Sequence, residues 1–334
     1  MNRQAVLRAA LLICMAILVA GVVLGIKTTF GFIGYSYANA GKYSCGDTEI
    51  KKNVSNLDID WLNGKVNILY HGGNTVEVSE KSDRDVSENL RMRWQLDGDT
   101  LRIRYAKPGR LPNRLPRKEL TVLLPENIVL NDVVVSATSG TLSIPALRAD
   151  SLILNATSGD INASATAKTV LVDATSGHID LQLSDHAKEI SAVTTSGGIA
   201  VEAGNVDSFT AETTSGGIHV TLKNAGDVDL SSTSGNISTE ILKAKRAEIE
   251  STSGDIQLGI SKLVSLKVKT TSGRVRAALP SKPGFTAELE TTSGQIDYDL
   301  PLTKQNGSYV CGDGSAEVEI HTTSGSITIT EGRK

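Results

Sequence analysis

Ile249-Glu250-Ser251-Thr252-Ser253-Gly254-Asp255-Ile256-Gln257-Leu258 is followed 19 residues later by Val268-Lys269-Thr270-Thr271-Ser272-Gly273-Arg274-Val275-Arg276-Ala277, the same pattern with different charges. Thr-Ser-Gly occurs ten times, beginning at Thr138, Thr157, Thr175, Thr195, Thr214, Thr233, Thr252, Thr271, Thr292 and Thr323. The intervals are 19, 18, 20, 19, 19, 19, 19, 21 and 31 residues. A period this short is too small for a domain, so each repeat reads as one layer of a stack.

Two residues after each glycine stands an aliphatic residue: Leu142, Ile161, Ile179, Ile199, Ile218, Ile237, Ile256, Val275, Ile296 and Ile327. Three residues before each threonine stands another, from Val135 and Leu154 to Leu289 and Ile320. Polar residues alternate with both columns, as they do along a strand with one buried face. Each repeat therefore reads as strand, Thr-Ser-Gly corner, strand and a variable second turn, with glycine supplying backbone freedom at the corner. Two inward columns also take aromatics, Phe209 and Tyr298, while Phe285 and Tyr309 read as turn or loop residues.

A lone layer buries too little apolar surface to offset the entropy of its own chain. Stacked in register at about 4.8 Å, each strand bonds to its copies above and below, and ten layers make a rod roughly 50 Å long. The expected fold is all-β: a single-chain parallel β-helix, or β-solenoid, of about ten 19-residue coils. Right-handed coiling is the commoner arrangement for large parallel β-helices and is the expectation here. Charges support stacking in chain order, since Glu248, Lys267 and Glu288 occupy one column and Glu250, Lys269 and Glu290 another. In the same register Asp255 falls beside Arg274, and Arg276 beside Asp297, so opposite charges meet at strand spacing. Such exposed pairs fix register and contribute little energy.

Ahead of the repeats, Arg3 and Arg8 precede Ala9–Ile26, which carries no charge and is long enough to cross a bilayer as a helix. Ala38-Asn39-Ala40 offers a competing signal-peptidase site, but it lies 14 residues past Ile26, and the expectation is an uncleaved anchor. Residues 1–40 then form a single-pass transmembrane signal anchor and linker, 41–135 an irregular β cap, and 136–334 the repeat region with its C-terminal cap. The implied location is the cell membrane, with the C-terminal domain extracytoplasmic.

Within the cap, Lys107, Arg110, Arg114, Arg117 and Lys118 lie in a Pro-rich stretch with no acid before Glu119. A solvated loop is the plain reading; an interaction loop for anionic lipid or wall polymer is the sharper one.

The apolar N-terminal segment, Asp60-Trp61-Leu62-Asn63-Gly64-Lys65-Val66, Leu120-Thr121-Val122-Leu123-Leu124-Pro125, the recurring Thr-Ser-Gly-x-Ile and Gly312-Asp313-Gly314 before the last repeat together resemble a bacterial family of uncharacterised β-strand-repeat proteins. Its usual label is putative adhesin, and the resemblance spans most of residues 50–330. It implies a cell-envelope scaffold or binding surface, and in an alternative role an envelope-stress regulator contacting a membrane sensor. It brings no catalytic residues.

Composition and residue spacing exclude several function classes. The 334 residues are 40% hydrophobic and only 4% aromatic, and 34 basic residues against 37 acidic give a net charge of −3. Nucleic-acid binding by bulk positive charge is excluded. Three cysteines and five histidines show no metal-ligand spacing, so no cofactor is expected. Polysaccharide chemistry, which some β-helices perform, needs convergent carboxylates. Asp297 and Asp299 are the best candidates, with Arg276 expected beside the first and no third acid. Cys45 and Cys311 sit near opposite ends of the expected rod, too far apart for a disulfide.

Overall fold

The computed structural model describes residues 26–29, 32–305 and 307–332. The expected membrane segment Ala9–Ile26 lies, except for Ile26, outside the described residues. Among the described residues, no helix is long and apolar enough to cross a membrane. Beyond two short 3-10 turns, the regular structure of the described residues is β-strand.

The repeats pair as their columns require. Ile161–Ser176, Ile179–Ser196, Ile199–Ser215, Ile218–Ser234 and Ile237–Ser253 each run parallel to the next, with Ile opposite Ile at the start and Ser opposite Ser at the end. Two residues connect one strand to the next, so the chain returns to its own neighbour once per repeat. The expected second turn does not break these middle layers. It survives as register shifts between Ala165 and Thr169 and between Leu183 and His186.

Alternation puts the aliphatic columns inside. Leu142, Ile161, Ile218, Ile256, Val275 and Ile327 are no more than 1% exposed. Phe209 is buried with them. Each Thr-Ser-Gly glycine stands directly against the glycine of the preceding layer, from Gly64 through Gly140 and Gly159 to Gly273. A Cβ on any Thr-Ser-Gly glycine would overlap the carbonyl oxygen of the glycine beside it, and one on Gly64 the carbonyl oxygen of Lys118. Close backbone approach, more than freedom of φ, selects glycine in this column.

The layers do not follow chain order throughout. Ser265–Ser272 pairs with Ala316–Ser324, and Gly284–Ser293 pairs with the other side of that same strand. The last repeat in sequence is thus inserted beneath the ninth, and Gly325 separates Gly273 from Gly294. This corrects part of the charge register. Lys267 meets Glu319 at 3.6 Å, Glu288 lies opposite Glu319, and Thr328 separates Arg276 from Asp297. Asp255 and Arg274 are adjacent as expected, 2.7 Å apart, and the Arg274 hydrogen bonds hold the Asp255 carboxyl below its ordinary range.

Two aromatic expectations also change. Phe285 lies on Gly284–Ser293 and is fully buried, because that strand packs against Ala316 on one side and Cys311 on the other. Tyr298 holds an inward column position yet is 46% exposed, because its layer is outermost.

The cap region contains one complete layer. Asn56–His71 pairs in parallel with Leu130–Ser139 and then with Leu142–Ile144, so Asn63-Gly64 stands where later layers carry Ser-Gly. Its outer edge is covered by Thr100–Arg104 over Asn56–Asp60 and by Lys118–Pro125 over Gly64–His71. Ile26–Thr29 and Phe32–Tyr35, on the stretch read as anchor and linker, form a small antiparallel sheet with Gly109–Leu111. The Tyr35 hydroxyl ties this sheet to the stack by donating to Asp60 at 3.3 Å and accepting from the Tyr105 amide at 3.2 Å. Burial raises the Asp60 carboxyl, against the lowering effect of Arg104.

Candidate functional site

The basic stretch divides into two environments. Lys107, Arg110, Arg114 and Arg117 are exposed. Arg110 lies on the strand that pairs with Phe32–Tyr35, opposite Gly34. The backbone fixes the rest of the loop: the Arg114 carbonyl accepts from Arg84 at 2.6 Å, and the Arg117 amide donates to Asp83 at 3.2 Å.

Lys118 is not part of that surface. Its side chain is 0% exposed and its Nζ reaches Glu80 at 2.7 Å and the Leu90 carbonyl at 2.8 Å, with a further bond to the Tyr105 carbonyl. The ammonium lies 4.0 Å from the Tyr105 ring centroid and 4.8 Å from that of Trp61, in the range of cation–π attraction. Burial pulls its pKa down to about 8, against the raising effect of Glu80. The cause is strand phase. Lys118, Leu120, Val122 and Leu124 alternate inward on one strand, and the first of them turns in with the rest. That phase was available in the sequence; its buried partner Glu80, 38 residues away, was not.

A second feature lies over the corners of the later layers. Thr233, Thr252, Thr271, Thr323 and Thr292 line a groove of about 950 Å³, flanked by Glu250, Lys269, Glu290 and His321. Behind them runs a hydroxyl column, one residue before each Thr-Ser-Gly from Thr194 onward, where the first three repeats carry alanine. Thr213, Ser232 and Thr322 donate to glycine carbonyls of the preceding layer at 3.3 Å, and Thr291 does so at 2.9 Å. These bonds stitch the corner and leave the outer threonine hydroxyls facing the groove. The Ala-to-hydroxyl change was visible in the repeat alignment, but its geometry depends on the stacking of layers. Such a surface can exchange many hydrogen bonds with a polar polymer or an extended chain.

The catalytic candidates do not converge. Asp297 is exposed on Ile296–Tyr298, and Asp299 accepts a hydrogen bond from the Glu331 amide at 3.1 Å. His321 stands between Glu290 and Glu319, 3.0 Å from each, while His178 lies in another layer beside Asp160. Among the described residues, no group of three or more His, Cys, Asp or Glu side chains could hold a metal ion. Cys45 and Cys311 are free thiols, the first on a strand paired with Arg93 near the first layer and the second opposite Phe285 in the last. Burial raises the Cys311 thiol.

No curated protein matches the chain. Solved structures that resemble it include a putative cell adhesion protein from Clostridium sporogenes, 14% identical, with a TM-score of 0.19, and a putative adhesin from Bacteroides fragilis, 13% identical, with a TM-score of 0.33. Each similarity covers 86% of this chain, with 100% of the first structure and 97% of the second. A family model described as Toastrack DUF4097 matches residues 54–241 and again 166–330, overlapping stretches that contain the first layer, every Thr-Ser-Gly corner and the inserted last repeat. The two matches together span well over half of the sequence, and the chain belongs to the Toastrack DUF4097 family.

Proposed function

We propose that the protein is a non-catalytic, membrane-anchored β-solenoid that displays a binding face outside the cytoplasm, as an adhesin or envelope scaffold. The observation that carries this reading is the hydroxyl-lined groove, which extends over consecutive layers and offers hydrogen-bonding groups at strand spacing. Parallel pairing between strands joined by two residues supports the solenoid, because each strand has to turn through a whole coil to meet its successor. Ala9–Ile26 supplies the anchor. Lys107, Arg114 and Arg117 lie on the loop whose strand pairs with Phe32–Tyr35, a few residues from that segment. This location suits contact with an anionic surface near the membrane. The similar structures from Clostridium and Bacteroides bear adhesion names, which accord with this reading without carrying it.

Photo-crosslinking in intact cells from Thr252 and Thr271 in the groove, and from Arg114 on the loop, tests the proposal. Capture of wall polymer or varied surface material along the groove supports a scaffold or adhesin. Recovery of one membrane protein at a fixed position replaces it with the regulatory role. Turnover of a polysaccharide, abolished by Asp297→Asn, overturns the non-catalytic reading.

A further inference from the structure

The stack is left open at its C-terminal end. Among the described residues, the outer side of Gly284–Ser293 is paired only over Gly284–Ala287, by Ser308–Gly312. Ile296–Tyr298 pairs only on its inner side, with Ile327–Ile329. The backbone from Glu288 to Tyr298 therefore presents unpaired amides and carbonyls. Side chains show the same opening. Ile296 is half-buried and Tyr298 is 46% exposed, whereas Ile256, Val275 and Ile327 in the Ile296 column are at most 1% exposed.

The outward positions on this edge are acidic: Glu288, Glu290 and Asp297. At the same three positions the preceding repeat carries Lys267, Lys269 and Arg276, flanking the aliphatic Val268 and Val275. A strand of that pattern would set a basic residue beside each of the three acids, of which Glu290 already meets His321 at 3.0 Å, and cover the half-open apolar columns. Insertion of the last repeat separates the two patterns, giving Lys267 to Glu319 and placing Glu288 beside the same Glu319. The outer side of the edge keeps its acidic row. A second copy docked through this same edge would bring acid against acid, so charge selects a basic partner.

We propose that the Glu288–Tyr298 edge is a docking site for an extended polypeptide strand with basic residues alternating around an aliphatic one, added in parallel as one further layer. The open backbone supplies affinity and the acidic row supplies selectivity, as in other cases of strand addition. The site adjoins the last rung of the hydroxyl groove but stands whether or not the groove binds a polymer.

The test uses a fluorescent peptide with the sequence Ser265–Ala278, titrated against the full chain in detergent and followed by anisotropy. Saturable one-to-one binding is expected, weakened by salt and by at least about tenfold in a Glu288→Lys/Glu290→Lys variant. Replacing the four basic residues of the peptide by Glu is expected to abolish binding. Hydrogen exchange on the wild-type chain provides a measurement that needs no variant: amides between 288 and 298 slow when the peptide is added. Absence of saturable binding, binding unchanged in the double variant, or protection confined to other layers would each overturn the proposal.

Discussion

The two ends of the stack meet the same physical problem with different chemistry. A parallel stack leaves an unpaired backbone edge and an open apolar interior wherever it stops. At the N-terminal end, non-repeating strands cover the first layer over Asn56–Asp60 and Gly64–His71, and charges are taken inside as pairs, Lys118 with Glu80 and Arg104 with Asp58. At the C-terminal end the cover stops at Ala287, the charges stay outside, and the last repeat folds back beneath its predecessor. One end is closed by a dedicated sequence; the other is a repeat left exposed and marked with acid.

The comparison breaks most sharply at Lys118. Lys118→Met takes the 2.7 Å partner from the buried Glu80 carboxylate, leaving Arg91 at 4.0 Å, and is expected to cost about 3–5 kcal/mol, whereas Lys118→Met with Glu80→Gln recovers most of the loss. Denaturation followed by the fluorescence of Trp61, whose indole nitrogen donates to the Lys118 carbonyl at 3.1 Å, measures both. Next in size is a pair of truncations in one column. Ile256→Ala, inside the stack, is expected to cost about 2–5 kcal/mol, and Ile296→Ala, in the outermost layer, less than about 1.5 kcal/mol. Equal losses in urea midpoints would mean that the C-terminal end is covered after all.

Gly216→Ala places a methyl group against the Gly197 carbonyl and is expected to cost about 1–3 kcal/mol through forced separation of layers. Gly72→Ala, which meets nothing within 4 Å, is expected to stay within about 0.5 kcal/mol of wild type. Lys118 also carries a pH dependence. The unfolded chain holds the Lys118 proton up to its ordinary 10.5, and the folded chain releases it near 8. The unfolded state therefore binds more protons between these values, and this group's contribution to stability rises with pH across that window, by about 1–3 kcal/mol. Thermal melts between pH 8 and 10.5 are expected to show the rise in wild type and to lose it in Lys118→Met.

Much of the regular region could be read from residues alone. The aliphatic columns, the Thr-Ser-Gly corners and the pairing of Asp255 with Arg274 follow from a period that repeats the same local environment in every layer. Lys118 shows where such reading stops. Five basic residues in one stretch look alike as a charge run, but the strand phase sends one of them into the core while four stay in solvent. The hydroxyl column from Thr194 onward was equally visible as letters, and the bonds of Thr213, Ser232, Thr291 and Thr322 to glycine carbonyls were not, because they join residues of different layers.

By itself the sequence determined the layer: which faces are inside, where glycine must stand, and how each repeat registers on the next, since all of these are set by contacts that recur at one spacing. Only the tertiary structure decided the order of the last layers and the closure of the ends. Lys267 could meet either Glu288 or Glu319, because both occupy the matching position in near-identical repeats. Local pattern is degenerate between such choices, and the structure pairs Lys267 with Glu319.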